Sequence, residues 1–317
     1  MNNNKLAFVF PGQGSQKVGM LAELAQKYPV VVDTFAEASS VLGYDLWALA
    51  QNGPQEELNL TEKTQPLLLT SSVAVWRVWQ DLGGETPSLL AGHSLGEFSA
   101  LVCAGVIAFK DAVKLVQLRG QFMQTAVPVG VGAMAAIIGL ADDAIEAACA
   151  EASGDEVVQA VNYNSPGQVV IAGHAGAVER AIVLCKAAGA KRALPLPVSA
   201  PFHTDLMKPA GVRLAQAIAD ITFSAPQISV VHNVTALTEQ DPEAIKALMV
   251  EQIYSPVKWT ACVEYMVSQG IEMTVECGPG KVLSGLSGRI DRVLKGAALA
   301  TEDVANLEKA IAAAQSL

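Results

Sequence analysis

Charged residues are scarce in this sequence. Only 16% of its 317 residues are Asp, Glu, Lys or Arg, whereas 51% are hydrophobic. Globular proteins average about 25% charged residues, and a disordered chain needs low hydrophobicity with a high net charge. The composition therefore excludes disorder over most of the chain and predicts a large buried core. The length allows one large domain or two of ordinary size.

Basic residues are fewer than acidic ones. The sequence has 21 Lys and Arg against 31 Asp and Glu, which gives a net charge of −10. An acidic chain without a basic run suits neither nucleic acid nor an anionic membrane. Its apolar runs fall well short of the ~20 residues of a membrane span. Residues 1–6 lack the charged and apolar regions of a signal peptide. We therefore expect a cytoplasmic protein without nucleic-acid or membrane partners.

Cysteine and histidine are few and dispersed. The four histidines do not cluster, and no two cysteines form a CxxC pair. Such a pattern is typical of reduced, mostly buried thiols and argues against a metal site. We expect neither a bound metal nor a cofactor. The five cysteines are Cys103, Cys149, Cys185, Cys262 and Cys277.

Short apolar runs alternate with helix-length amphipathic stretches, which indicates the α/β class. Residues 6–10 and 88–92 are predicted buried strands, the first ended by Pro11 and Gly12. From Gly132 to Leu196 the predicted order is β-α-β-β-α-β, the ferredoxin-like plan. Because that plan closes its own sheet, we expect a small domain inserted into a larger one. The predicted boundaries are 129–197 for the small domain and 1–128 with 198–317 for the large one.

Residues 92–96 (GHSLG) match the G-x-S-x-G pattern of a nucleophile elbow, between a predicted strand and a predicted helix. A sharp turn there strains the serine backbone, and flanking glycines avoid clashes. The hydroxyl of Ser94 then lies at a helix N-terminus, where N–H groups face developing negative charge. The alternative is a chance match in a loop rich in glycine and serine.

A serine nucleophile needs a base, and His203 is the first choice. It follows the predicted insertion, so its loop is placed at a cleft between two domains. His93 neighbours the nucleophile but should point elsewhere, His174 fits a helix cap or surface residue, and His232 fits a satisfied histidine in an apolar strand. No obvious carboxylate stands behind His203, so an amide or a backbone carbonyl is a possible orienting group.

Two further features are open to two interpretations each. Residues 10–16 (FPGQGSQ) follow the first strand but lack the third glycine of a dinucleotide loop. They form either a simple tight turn or a loop whose N–H groups supply an oxyanion donor. Arg119 follows a mostly apolar helical stretch. It is either a favourable cation at a helix C-terminus or a guanidinium that grips a carboxylate through two parallel hydrogen bonds.

Five motifs occur together and in order. They are residues 10–16 (FPGQGSQ), 92–97 (GHSLGE), 117–120 (QLRG), 200–203 (APFH) and 252–257 (QIYSPV). With them the chain closely resembles bacterial malonyl-CoA:acyl carrier protein transacylases, from about residue 6 to residue 289. The resemblance implies an α/β-hydrolase-like core with a parallel sheet, an inserted ferredoxin-like subdomain and an active site between them.

The resemblance also implies roles for individual residues. Ser94 is the nucleophile and His203 its base, and Gln252 orients His203. The N–H groups of Gln13 and Leu95 form the oxyanion hole. For substrate binding, the resemblance implies that Arg119 pairs with the malonyl carboxylate and that Phe202 marks the form that accepts malonyl rather than methylmalonyl, and we add His93 as a third expected contact.

The expected function is ping-pong transfer of malonyl from malonyl-CoA to the phosphopantetheine thiol of acyl carrier protein, for fatty acid biosynthesis. Carrier proteins of this kind are usually acidic, so we expect a local basic patch to receive them. Its predicted members are Lys191, Arg192, Lys281 and Arg289. The alternatives are a serine thioesterase or esterase, a malonyl acyltransferase of a polyketide pathway, and a catalytically inert carrier-binding module.

Overall fold

The structure is a computed structural model that describes residues 3–198 and 200–317, so Ser199 of the loop before His203 lies outside the described residues. Strands β1 to β9 span Asn3–Phe10, Pro87–Gly92, Gly132–Ile138, Val158–Ser165, Gln168–His174, Arg192–Pro195, Ser229–Val231, Met273–Glu276 and Ala298–Ala300. Helices α1 to α14 span Ala22–Lys27, Val30–Leu42, Leu46–Asn52, Gln55–Leu58, Thr61–Asp81, Leu95–Cys103, Phe109–Gln124, Asp142–Ser153, Ala175–Ala187, Lys208–Ala219, Pro242–Gln252, Trp259–Ser268, Val282–Ile290 and Val304–Ala314.

A parallel sheet forms the centre of the larger unit, with the strand order β7-β2-β1-β8-β9. Its middle strand, β1, is apolar on both faces because helices cover both sides. Phe8 and Phe10 pack into one core cluster, and Ala7 and Val9 pack into a second cluster on the opposite face. The sheet therefore directs the carboxyl ends of β1, β2 and β7 to one edge, where the loops after them meet.

A second, antiparallel sheet has the order β4-β5-β3-β6. Helices α8 and α9 cover one face, where Ile137 packs with Ile145 and Val178 in a separate core cluster. The other face turns toward the main core, which Met134 and Val170 join. The chain is thus an α/β protein with one parallel and one separate antiparallel sheet.

The two sheets are joined through β4. The N–H of Val257 donates to Val161 O at 2.8 Å, and the N–H of Tyr163 donates back to Val257 O at 3.0 Å. The hydroxyl of Thr260 also donates to Tyr163 O, at 3.0 Å. One side of the antiparallel sheet is therefore fixed to the larger unit by backbone hydrogen bonds.

The helices and the cysteines can be compared with what the sequence predicts. Within residues 3–198 and 200–317, none of the helices combines the length and hydropathy that crossing a bilayer requires. All five cysteines are free thiols, four of them buried.

Candidate active site

The turn between β2 and α6 has the geometry of a nucleophile elbow. Ser94 adopts φ 52° and ψ −108°, a conformation that costs a side-chain-bearing residue about 1–3 kcal/mol. A Cβ added to Gly92 would lie 1.9 Å from the backbone C of Gly96, and one added to Gly96 would lie 2.0 Å from Phe10 O. Only glycine fits at both positions. The strand, the turn and the helix therefore pack as tightly as the sequence pattern predicts.

Asn233 holds this strained turn in place. Its Oδ1 accepts a hydrogen bond from the N–H of Ser94 at 2.8 Å, and its Nδ2 donates to Gly92 O at 2.7 Å. The residue is fully buried and follows β7, the strand next to β2. Asn233 thus bonds the elbow at Ser94 and at the residue two positions before it.

The imidazole of His203 lies against the Ser94 hydroxyl. Its Nε2 is 2.8 Å from Ser94 Oγ, and its Nδ1 is 2.9 Å from the main-chain O of Gln252. A carbonyl only accepts hydrogen bonds, so Nδ1 carries the proton and Nε2 presents a lone pair to the serine. Burial, followed by the positive charge of Arg119, lowers the pKa of His203 to about 3. The imidazole is therefore neutral at physiological pH and able to take a proton.

Arg119 lies in the interior of α7 rather than at its end, because α7 continues to Gln124. The helix C-terminus interpretation from the sequence was therefore wrong. Its Nη1 donates to Gln65 Oε1 at 2.8 Å, and its Nη2 donates to Gln252 Oε1 at 2.8 Å and to Ser94 Oγ at 3.3 Å. Burial lowers its pKa to about 10, which leaves the guanidinium charged at neutral pH.

These groups face a cleft of about 600 Å³. All the predicted site residues except Gln252 line it directly: Gln13, His93, Ser94, Leu95, Arg119, Phe202 and His203. Leu95 is the first residue of α6, so its N–H has no acceptor within the helix. The antiparallel sheet contributes Met134 and Asn162 to the opposite wall. The cleft therefore lies between the two sheets.

The side chain of His93 is hydrogen-bonded to the antiparallel sheet. Its Nε2 lies 2.7 Å from Oδ1 of Asn164 on β4, and its ring centre is 5.7 Å from that of Trp259. Burial lowers its pKa, which favours the neutral imidazole. His93 therefore links the elbow to the antiparallel sheet.

The remaining two histidines have structural partners. His232 is fully buried, with Nδ1 2.7 Å from Glu97 Oε1. His174 accepts the N–H of Val157 at 2.9 Å within the antiparallel sheet. Both agree with the interpretation that they are not the base.

Three buried polar residues of the site were not singled out from the sequence: Gln65, Glu97 and Asn233. Each had a signal, because each is a polar side chain within or next to a mostly apolar stretch. Their contacts come from residues far away in the chain; Ser94 and Asn233, for example, are 139 positions apart. Only the fold brings these partners together.

Comparison with known proteins identifies the family. The model of the acyl transferase domain family matches residues 7–288. The malonyl CoA-acyl carrier protein transacylase of Escherichia coli K12 is 64% identical over 295 residues, which is 93% of this chain and 96% of that protein. The chain belongs to the malonyl-CoA:acyl carrier protein transacylase family. It is therefore an acyltransferase.

Solved structures of the transacylase family agree with this fold. An acyl carrier protein S-malonyltransferase from Vibrio cholerae is 64% identical, with a TM-score of 0.94 over 96% of this chain and 99% of that one. A malonyl-transacylase in a holo complex with a type II polyketide acyl carrier protein is 58% identical. Its TM-score is 0.95 over 98% of this chain and 99% of that one.

Proposed function

We propose that this transacylase moves a malonyl group from malonyl-CoA to the phosphopantetheine thiol of acyl carrier protein through an ester on Ser94. The observation that carries the proposal is a buried, charged guanidinium beside the nucleophile. Arg119 is 1% exposed, and within the described residues its hydrogen-bond acceptors are all neutral. The carboxylate of Glu97, whose charge raises the pKa of Arg119 against the effect of burial, reaches the guanidinium only through Gln252. A substrate carboxylate supplies a direct ionic partner. The names of two relatives support this proposal, because one names malonyl-CoA and both name the malonyl group and acyl carrier protein.

In the first step, Ser94 Oγ attacks the thioester carbonyl carbon while His203 Nε2 takes the hydroxyl proton. The tetrahedral oxyanion accepts hydrogen bonds from the N–H groups of Gln13 and Leu95. The C–S bond then breaks, and the CoA sulfur takes the proton from His203. The products are malonyl-Ser94 and free CoA thiol.

In the second step, the phosphopantetheine thiol of the carrier gives its proton to His203 Nε2 and attacks the ester carbonyl. The bond to Ser94 Oγ breaks, and Oγ regains the proton. The charge of Arg119 contributes to the low pKa of His203 in the free enzyme. A malonyl carboxylate paired with Arg119 offsets that charge, so the pKa of His203 rises in the acyl-enzyme. The base therefore becomes stronger when the carrier thiol must be deprotonated.

Two residues shape the acyl site in this proposal. Phe202 is mostly buried beside His203 and limits the space next to the malonyl group, which fits malonyl better than a branched acyl group. His93 lines the same cleft and is fixed by Asn164, so it forms a rigid wall for the arm of the substrate.

The finer description of the fold is also a proposal. The small unit, residues 129–197, is ferredoxin-like, and the large unit, 1–128 with 198–317, is α/β-hydrolase-like. The element order β3-α8-β4-β5-α9-β6 and the sheet order β4-β5-β3-β6 support the first assignment. The elbow after a parallel strand supports the second. The free thiols fit a reducing compartment, and we propose the cytoplasm.

A serine thioesterase or esterase would share the elbow and the base but has no use for a buried cation. A malonyl transferase of a polyketide pathway is the second candidate, because the relative in complex with a polyketide carrier is 58% identical. The chemistry on Ser94 is the same in both pathways. We assign this enzyme to fatty acid synthesis because the relatives at 64% identity are named for malonyl transfer to acyl carrier protein without a polyketide carrier.

The proposal is tested by intact mass spectrometry after incubation with malonyl-CoA. We expect the wild type to gain one malonyl group and Ser94→Ala to gain none. Ser99→Ala, which changes a serine within α6, is the matched control and should gain the group as the wild type does. An equal adduct on Ser94→Ala, or none on the wild type, would contradict the proposal.

A further inference from the structure

Glu97 is a buried carboxylate in the first turn of α6, 1% exposed. Its Oε1 lies 2.7 Å from His232 Nδ1, and its Oε2 accepts the Gln252 side-chain amide at 2.7 Å and the Asn233 N–H at 3.2 Å. A carboxylate is costly to bury and needs such donors. Two of these donors belong to residues that support the reacting groups.

The contact with Glu97 fixes which way the Gln252 amide points. Its Nε2 donates to Glu97 Oε2 and, at 2.9 Å, to Ser94 O, so its Oε1 faces Arg119 Nη2. A carboxylate only accepts hydrogen bonds and a guanidinium only donates them. The reversed amide would place oxygen against oxygen and N–H against N–H. Glu97 and Arg119 together therefore allow a single orientation.

We infer that Glu97 is a positioning residue for malonyl transfer, which holds the Gln252 amide so that Arg119 presents Nη2 beside Ser94 Oγ. The inference rests on the proposed function, because it concerns how Arg119 is held ready for the malonyl carboxylate. The link is short: Glu97 contacts Gln252, Gln252 contacts Arg119, and Arg119 Nη2 lies 3.3 Å from Ser94 Oγ.

Two substitutions separate the reach of Glu97 from its charge. Glu97→Asp keeps the charge but withdraws the carboxylate by one methylene from the Gln252 amide. Glu97→Gln loses the charge but keeps an oxygen in reach of Gln252 Nε2. Its new NH₂ group then faces His232 Nδ1. His232 can move its proton to Nε2, which has no partner within the described residues, so that Nδ1 accepts.

The experiment measures kcat/KM for malonyl-CoA and for acetyl-CoA with acyl carrier protein as acceptor. We expect Glu97→Asp to lower malonyl transfer about 10-fold or more and to lower the malonyl-to-acetyl ratio, since small displacements of positioning groups have effects of this size. Glu97→Gln should keep that ratio within about 3-fold of the wild type. The opposite order would assign the effect to charge, and equal losses for both donors would show a merely structural role. Either result overturns the inference.

Glu276 provides the matched control. It is a second buried carboxylate at this edge of the parallel sheet, where it accepts the N–H groups of Leu283 and Ser284 at the start of α13. Glu276→Asp should lower the urea midpoint of unfolding and leave the donor ratio unchanged. A shift of the ratio equal to that of Glu97→Asp would overturn the inference.

If Glu97→Asp does not fold, Glu97→Ser carries the same test, because its hydroxyl is too short to reach the amide, and Glu97→Gln still decides between reach and charge. The proposed function fails separately, if the wild type itself transfers no malonyl group.

Discussion

The guanidinium of Arg119 lies 1% exposed among three neutral acceptors, on Gln65, Gln252 and Ser94. Within the described residues the guanidinium has no direct ionic partner, because Gln252 lies between it and the carboxylate of Glu97. A buried charge without a direct partner costs several kcal/mol, and a malonyl carboxylate removes that cost. A guanidinium also matches both carboxylate oxygens at once, whereas an ammonium matches one at a time. Acetyl-CoA leaves the charge unpaired. The discrimination between these two acyl groups should therefore depend on this one side chain.

We predict that Arg119→Ala lowers malonyl transfer about 10²-fold or more, which corresponds to roughly 3 kcal/mol of lost pairing. Acetyl transfer should stay constant or rise, because the penalty for an unpaired charge disappears. Arg119→Lys should restore malonyl transfer only in part. The measurement is kcat/KM for both donors. Equal losses for both would show that Arg119 supports the fold and does not recognise the carboxylate.

The low pKa of His203 makes a prediction about pH. Burial and Arg119 lower it from 6.5 to about 3, so the free enzyme keeps a neutral base well below pH 6.5. The second-order rate constant for acylation of Ser94 by malonyl-CoA should therefore be constant from about pH 8 to pH 5.5, without an acid limb near pH 6.5. An acid limb centred near 6.5 would contradict the lowered pKa.

The lowered pKa of His203 also predicts that the folded protein is less stable at low pH. Between pH 6.5 and about 3 the unfolded chain binds a proton at His203 and the folded chain does not. This contribution to stability is therefore complete above pH 6.5 and is lost as the pH falls toward 3. Circular dichroism at each pH separates this loss of folded enzyme from a change in the base.

At the scale of elements, the strands with clear apolar runs were predicted well. The predicted strand at residues 273–276 coincides with β8, and the β-α-β-β-α-β order of residues 132–195 is the one observed. Helix α10 was not predicted, because Pro209 and Gly211 are loop signals. Pro209 lies in the first turn, where proline fits, and Gly211 packs closely against Tyr254. Both residues therefore serve the helix rather than end it.

The predicted basic patch lies mainly at one end of the antiparallel sheet. Ile138 of β3 pairs with Gln168 on one side and Arg192 on the other, and Arg289 of α13 donates to Gln168 Oε1 at 3.2 Å. Lys191 and Arg192 are exposed beside this point. Lys281, at the start of α13, pairs with Glu302 at 3.5 Å and is partly neutralised. Three of the four predicted residues thus share one surface.

We predict that reversing the charge at Lys191 and Arg192 to Glu raises the KM for acyl carrier protein, most at low salt, because steering between charged surfaces is screened by ions. The malonyl-CoA half-reaction, followed by the Ser94 adduct, should not change. Reversal of the exposed Lys110 and Lys114 of α7 alters the net charge by the same amount and serves as the control. Equal effects on both half-reactions, or in the control, would count against docking at this patch.

At the scale of the whole molecule, the cleft exists only because two sheets meet. Ser94 and His203 could be predicted from motifs, since a strand-turn-helix signal and a loop leaving an insertion are local patterns. The partners of Gln65 and Asn233 could not be predicted, because they lie 54 and 139 positions away in the chain. The orienting group behind His203 was predicted at Gln252, and it is the main-chain carbonyl that faces the imidazole while the side chain supports Arg119. Sequence patterns indicate the proposed nucleophile and base, and packing supplies the groups that orient them.

Transfer of malonyl to the carrier thiol is the central claim, and one measurement tests it most directly. The enzyme is mixed with malonyl-CoA and phosphopantetheinylated acyl carrier protein, and the carrier is then weighed by mass spectrometry. We predict a carrier that has gained one malonyl group, at a rate that Ser94→Ala abolishes. Release of free malonate with an unmodified carrier would contradict the account and would show a hydrolase instead.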